Sequence, residues 1–118
     1  MILGRGFVVA GSTDTRKWIM AEDAVKVAPE IYKVVLENDQ VRVLEVTMAP
    51  GAKTDVHGHP ALVAIMLEAG KVRFSESGGE TTEMELPAGQ PMYLPATDHT
   101  TENTGDGELH GYLVELKR

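Results

Sequence analysis

From residue 31 onward, short apolar runs alternate with turn residues, and this alternation limits the possible folds more than any other feature. The runs occupy residues 31–37, 41–48, 62–67, 71–75, 81–86, 92–94, 99–103 and 108–116. Asn, Asp, Gly and Pro fill most of the intervals, a pattern that is typical of antiparallel strands. The sequence therefore predicts an all-β domain of about eight strands in two sheets.

Size and charge exclude several classes of protein. A chain of 118 residues with 42% hydrophobic and 25% charged residues is typical of one globular domain. Lys and Arg number 11 against 18 Asp and Glu, and this net charge of −7 opposes binding to nucleic acid or to an anionic membrane surface. The absence of cysteine excludes thiolate metal sites. No apolar run is long enough for a signal peptide or a membrane span, so we expect a cytoplasmic protein.

The first thirty residues differ from the rest, and we interpret residues 1–30 as an N-terminal arm that precedes the β domain at residues 31–118. Only residues 20–28 have the composition of a helix, which Pro29 would end, although a strand fits nearly as well. The run 61–67 is apolar on both faces of a strand, so its outer face needs a cover. The arm of the same chain or of a second copy would supply it, and we predict a homodimer with an exchanged arm or strand. A strand at the centre of a thick monomer is the alternative.

Two of the four histidines, His57 and His59, stand two residues apart. In a strand such residues project from one face, so both imidazoles can converge on one ion. Neutral imidazole binds divalent iron, zinc, nickel and copper, and His99 is the natural candidate for a third ligand from another strand. By itself the His-x-His pair is also consistent with a half-exposed, polar strand end.

The residues around these histidines resemble the first signature of the cupins. That signature is a glycine, five residues, His-x-His, three or four residues, a glutamate, six residues and a glycine. Residues 51–63 followed by Gly70 fit every spacing, but the glutamate position holds Val63 and its one-residue-later variant holds Ala64. The resemblance covers residues 31–118 and implies a double-stranded β-helix, or jelly-roll, barrel.

A second stretch resembles the second cupin signature. Its matching residues are Gly89, Pro95, His99 and Asn103. Thr97 replaces the usual glycine of this signature, and the interval from proline to histidine is one residue short. Together the two signatures imply that His57, His59 and His99 point into the barrel and hold a divalent transition metal.

The missing glutamate directs the functional hypotheses. Its loss removes a negative charge and a hard oxygen ligand, which shifts the preference of the site away from magnesium and manganese. Three-histidine iron sites that oxidise small molecules with dioxygen occur in cupins without this glutamate. The resemblance thus implies a dioxygenase-like oxidoreductase, although no catalytic residue is assigned. A cupin that binds a small molecule without chemistry, with or without metal, is the alternative, and a metal-free structural partner is the third hypothesis.

Five further residues are candidates for the cavity wall or for contacts behind the metal ligands: Asp55, Val63, Tyr93, His110 and Tyr112. Asp55 shares the strand face of His57 if the strand extends that far, and a solvated loop position is the alternative. Tyr93 and Tyr112 fit ordinary core packing equally well, and the alternative for His110 is a histidine that merely hydrogen-bonds a neighbour. A metal would create a positive centre inside an acidic shell, so we expect a small anionic or oxygen-rich ligand.

Overall fold

The computed structural model describes residues 21–76 and 78–117, which contain one short helix followed by nine strands. The elements are α1 (Ala24–Val27), β1 (Tyr32–Glu37), β2 (Val41–Met48), β3 (His57–His59), β4 (Leu62–Met66), β5 (Gly70–Glu76), β6 (Thr81–Leu86), β7 (Met92–Leu94), β8 (Thr97–Asn103) and β9 (Leu109–Leu116). The prediction of an all-β domain is confirmed.

The strands form two sheets. One sheet has the order β1-β2-β9-β4-β7, and the other has the order β3-β8-β5-β6. Every strand pair is antiparallel. Because β8 and β9 lie between strands that are distant in sequence, the chain crosses repeatedly between the sheets, as it does in a jelly roll.

Strand alternation places the core between the two sheets. Along β2 every second residue is buried, and along β4 the buried positions are Leu62, Ala64 and Met66. Side chains of a strand project alternately to opposite faces, so Val63 and Ile65 face outward from β4. The same alternation on β9 turns Leu109, Gly111, Leu113 and Glu115 toward the core.

The segment 21–30 contains the short helix. A helix is predicted over 20–28, whereas α1 covers only Ala24–Val27. Asp23 is its N-cap, because the side chain accepts a hydrogen bond from the Val25 amide, and the preceding backbone is occupied by pairing with β3. Residues 1–20, and with them the predicted arm exchange, lie outside the described residues. Within the described residues, no helix is long and apolar enough to cross a membrane.

Candidate metal centre

Two neighbouring strands bring together the three histidines that the sequence singles out. His57 and His59 lie on β3, His99 lies on β8, and His57 pairs directly with His99 across the two strands. One ring nitrogen from each lies within 4.8 Å of the others. Their exposed fractions are 0%, 3% and 7%, so water has little access to them. Nitrogens that share one tetrahedral zinc ion lie about 3.4 Å apart, so modest ring rotation brings these three into coordination distance.

The charge state of two of these rings suits a cation. Burial, together with the neighbouring His59, lowers the pKa of His57 to about 4. Burial, together with His59 and His57, lowers the pKa of His99 to about 3. Both rings are therefore neutral at pH 7, and neutral imidazole is the form that binds a metal ion. This donor set fits a divalent transition metal.

The hydrogen bonds of His57 determine which nitrogen is available. Its Nδ1 lies 2.9 Å from the Asp55 carbonyl oxygen and 3.1 Å from Thr54 Oγ1. A carbonyl can only accept, so Nδ1 carries the hydrogen and Nε2 carries the lone pair. Asp55 thus contacts a metal-ligand candidate through its backbone, while its side chain is exposed.

His59 is oriented by a buried carboxylate that the sequence analysis missed. Glu115 Oε2 lies 3.1 Å from His59 Nδ1, and the residue is only 1% exposed. Arg42 Nε donates to the other oxygen, Oε1, at 2.8 Å. A carboxylate paired with arginine accepts hydrogen bonds only, so His59 Nδ1 carries the hydrogen and Nε2 is available. The alternation of inward and outward residues could have identified both residues from the sequence, because it places charged Glu115 on the inward face of β9 and charged Arg42 on the inward face of β2.

Arg42 continues this chain of contacts outward to Asp23. Its two terminal nitrogens lie 2.8 and 2.7 Å from the two Asp23 carboxylate oxygens. Burial opposes ionisation of Asp23, but the hydrogen bonds and the charge of Arg42 outweigh it and lower the pKa of that carboxyl. Hydrogen bonding to Asp23 in turn raises the pKa of Arg42. Both groups are therefore charged at neutral pH.

Tyr32 and Phe74 complete the surroundings of the three rings, and the sequence analysis did not assign Tyr32 to the site. The Tyr32 hydroxyl lies 3.3 Å from His57 Nε2. Burial raises the pKa of Tyr32 to about 12, so its phenol keeps its proton at neutral pH. Phe74 stacks on His99 with the ring centroids 4.8 Å apart and the planes inclined by 7°. Thr101 Oγ1 lies 3.3 Å from His99 Nε2 and can donate or accept there.

A cavity of about 70 Å³ adjoins the histidines. Its polar lining residues are Tyr32, His59, Thr97, His99 and Thr101. The remainder of the lining is apolar and consists of Val46, Met48, Leu62, Ala64, Met66, Val72, Phe74, Leu86, Met92, Leu94, Pro95, Leu109 and Leu113. The wall of this cavity is therefore mostly apolar, with its polar groups on the side of the histidines.

Four of the other candidate residues lie away from this cavity because of strand parity. Val63 pairs with Tyr93 and Val114 on the outer face of the five-stranded sheet, and Tyr93 is 62% exposed. His110 and Tyr112 also have outward positions on β9. His110 Nε2 is 2.7 Å from Glu45 Oε2, and this hydrogen bond raises the pKa of His110.

Val63 stands where the first cupin signature has its glutamate, and the neighbouring residue of β4 that faces inward is Ala64. The expectation that Val63 lines the site therefore does not match its position. Since Leu62, Ala64 and Met66 face the core, the intervening residues are directed to the opposite face of the sheet.

An antiparallel jelly roll with three converging, buried histidines defines a small β-barrel protein with a site of the metal-binding type. The family model for the cupin domain, Cupin_2, matches residues 44–115, and the chain belongs to this family. The predicted double-stranded β-helix fold is thereby confirmed.

Solved structures show the same fold. A cupin domain from Bordetella pertussis Tohama I is 26% identical, with a TM-score of 0.68 over 75% of this chain and 93% of that chain. An RmlC-like cupin from Methanocaldococcus jannaschii is 13% identical, with a TM-score of 0.58 over 74% of this chain and 79% of that one. An oxalate decarboxylase is 29% identical, with a TM-score of 0.52, and the similarity covers 66% of this chain and 22% of that larger one. The search of curated proteins finds no match.

Proposed function

We propose that this cupin holds one divalent transition metal through His57, His59 and His99 and acts as a dioxygenase-like enzyme on a small molecule. The observation that carries the proposal is the cluster itself, in which ligand nitrogens of three buried imidazoles lie within 4.8 Å of one another. Iron, zinc, nickel and copper all accept imidazole ligands, and iron with open coordination positions is the metal of non-haem oxygenases. The bound metal would supply Lewis acidity and, in the case of iron, dioxygen chemistry.

The residues around the cluster have the remaining tasks. The apolar cavity wall excludes water and holds the body of the ligand. The protonated Tyr32 hydroxyl lies 3.3 Å from His57 Nε2, to which it donates. Once a metal occupies that nitrogen, the hydroxyl would donate to an oxygen of the ligand instead. Thr101 supplies a second hydroxyl in the cavity wall.

The cavity narrows the ligand class that the sequence suggests. A pocket of about 70 Å³ is small beside the roughly 300–1,000 Å³ of drug-sized sites, so the ligand has few heavy atoms. Burying a charge against apolar walls is costly unless it is paired. We therefore favour a molecule with one oxygen-bearing head directed to the metal and a short apolar body over a polyanion.

A non-catalytic binding cupin is the second candidate function, and one observation favours it. The described residues place no carboxylate in the cavity lining. Tyr32, with a pKa of about 12, is a weak general base at neutral pH because it holds its proton. An enzyme of this fold would have to rely on its metal and its ligand for proton transfer.

Metal analysis of the untagged protein, combined with oxygen consumption, tests both candidates. We expect close to one transition metal per chain and its loss in His57→Ala. Less than roughly a tenth of an equivalent after supplementation with iron, zinc, nickel and copper would contradict the metal centre. Oxygen uptake by the iron form with a panel of short ketones, diketones and alcohols supports the enzyme. Saturable binding of such a probe without oxygen uptake supports the binding cupin.

We also propose that the protein is a homodimer, as the sequence suggests, and that the five-stranded sheet supplies the interface. The register aligns an apolar row across all five strands of its outer face: Leu36, Val43, Val114, Val63 and Tyr93. Sedimentation equilibrium should give twice the chain mass, and Val63→Glu should shift it toward the monomer. A cytoplasmic location stays a prediction from the sequence.

A further inference from the structure

We propose that Glu115 is a positioning residue for the ligand candidate His59, and that Arg42 and Asp23 hold Glu115 so that the docked segment 21–28 supports the metal centre. This proposal rests on the proposed metal site for one of its two readouts, the affinity for a metal ion. A second readout, the tautomer of His59, requires no metal.

An unbroken series of short polar contacts connects the segment 21–28 to the site. Asp23 contacts Arg42 through two oxygens at 2.7 and 2.8 Å, and Arg42 contacts Glu115 Oε1 at 2.7 and 2.8 Å. Glu115 Oε2 then reaches His59 Nδ1 at 3.1 Å. The side-chain exposure falls from 29% at Asp23 through 8% at Arg42 to 1% at Glu115. The contacts therefore connect the surface to the ligand cluster through the protein interior.

Folding stability alone does not account for this buried pair of charges. A buried ion pair is often no more stabilising than apolar residues of similar volume, because both charges lose their water. The neighbouring inward positions, Leu44 on β2 and Leu113 on β9, are apolar. An arginine and a glutamate at the adjacent inward positions, beside His59, have a use that leucines would not have: they fix a hydrogen on Nδ1.

The net charge of these contacts also favours a bound metal ion. Three imidazoles leave the full charge of a divalent ion uncompensated, since Val63 and Ala64 offer no carboxylate. Arg42 cancels one of the two carboxylates that it contacts, so the chain of contacts carries one net negative charge. Glu115 brings that charge to the far side of the His59 ring, where it increases the basicity of Nε2. Glu115, which lies behind His59, thus supplies part of the negative charge that the missing cupin glutamate would supply as a ligand.

The segment 21–28 is connected to the histidine cluster through both Asp23 and Glu22. Asp23 is both the partner of Arg42 and the N-cap of α1. The adjacent Glu22 carbonyl accepts a hydrogen bond of 2.7 Å from the amide of Gly58, which lies between the two histidines of β3. Docking of the segment therefore supports β3 through its backbone and His59 through Glu115. Displacing it should weaken metal binding, and bound metal should hold it in place.

The decisive variant is Glu115→Gln. Arg42 requires an acceptor, so the amide turns its oxygen to Arg42 and its NH₂ group to His59 Nδ1. That arrangement favours the tautomer with hydrogen on Nε2, the nitrogen the metal needs. We expect imidazole ¹⁵N NMR of the metal-free protein to show Nδ1–H in the wild type and Nε2–H in the variant, and the Kd for Co²⁺ to rise by about 10–100-fold.

Glu102→Gln is the matched control, because Glu102 is also a strand carboxylate ion-paired to an arginine, but toward solvent. It should leave both the tautomer and the Kd unchanged. A purely structural role for Glu115 would lower the unfolding midpoint without changing the tautomer of His59, and that result would overturn the proposal. If wild-type protein binds no Co²⁺, the proposed metal function fails, while the tautomer comparison still decides the role of Glu115.

Asp23→Asn tests the link to the segment and serves if Glu115→Gln does not fold. It should raise the Kd for Co²⁺ by a smaller factor and speed amide hydrogen exchange at Gly58. Glu22→Gln is its control, since that side chain is exposed and pairs only with Lys26 among the described residues. Equal affinities for Asp23→Asn and Glu22→Gln would contradict the link.

Discussion

His57 and His99 occupy directly paired positions on β3 and β8, with ring centroids 4.9 Å apart and ring planes inclined by 80°. β3 has only three residues, so its place in the sheet depends on this short ladder, on the backbone hydrogen bond from Gly58 to Glu22 and on the contacts of its side chains. An ion held by both rings would cross-link the two strands.

The first prediction is that metal stabilises the fold through His99. Ligand at 100 times its Kd adds about 2.7 kcal/mol to the free energy of unfolding. We expect the thermal midpoint of the wild type to rise with Zn²⁺, and that of His99→Ala to remain unchanged. His110→Ala is the control, because His110 pairs with Glu45 outside the cavity, and it should keep the full response. An equal Zn²⁺ response in His99→Ala would exclude His99 as a ligand.

The second prediction concerns the metal-free protein at acidic pH. The pKa values of His57 and His99, about 4 and about 3, lie below the 6.5 of an unfolded histidine. At a pH below 6.5 and above the pKa values of the folded protein, the unfolded chain binds protons that the folded chain does not. The free energy of unfolding therefore falls as the pH drops below about 6.5. The expected loss between pH 7 and pH 5 is roughly 2 kcal/mol for each histidine.

Urea unfolding with EDTA at the two pH values measures this loss. His99→Phe removes one titrating ring and keeps an aromatic ring beside Phe74, so its stability should depend less steeply on pH. An equally steep dependence in that variant would be inconsistent with the burial argument. His110 acts in the opposite direction, because its pKa is raised, and its contribution disappears as the pH rises above that pKa.

The sequence predicts the strands better than the site. Apolar runs place most strands within one or two residues, because burial on one face imposes a period of two. β3 is absent from the apolar runs, since His57-Gly58-His59 is short and has no apolar residue to mark it, and only the His-x-His spacing indicates a strand there. The three histidines were found by their spacing and by resemblance, and both signals are independent of hydrophobic pattern.

The residues behind the ligands were not predicted from the sequence, for a physical reason. Glu115 and His59 lie 56 positions apart, and the pairing of β4 with β9, which places Leu62 opposite Glu115, helps to bring them together. Tyr32, the first residue of β1, contacts His57 of β3 across a sequence separation of 25. Such contacts depend on strand order, which apolar periodicity does not specify.

The third prediction concerns the empty carboxylate position. Ala64 lines the same cavity as His59 and His99, whereas Val63 faces outward. Ala64→Glu should therefore tighten Mn²⁺ binding by roughly tenfold, about 1.4 kcal/mol, because it adds a hard, negative ligand. Val63→Glu is the matched control, because its carboxylate lies on the outer face of the sheet. It should leave the Kd unchanged even where it shifts the dimer toward the monomer. Competition titration measures both, and the reverse ranking would show that Val63 faces the metal.

The fourth prediction tests the strand pairing that places Glu115. Gly111 of β9 lies against β4, and an added Cβ would approach the Ile65 carbonyl oxygen to 2.7 Å and Met66 Cα to 2.8 Å. These are backbone atoms, so the two strands must separate, and Gly111→Ala should destabilise the protein by about 1–3 kcal/mol. Gly107→Ala is the control, since nothing lies within 4 Å of its Cβ. Urea unfolding compares the two, and because β4 and β9 also carry the cavity wall, Gly111→Ala should weaken Co²⁺ binding as well. Equal stability of the two variants would be incompatible with this register.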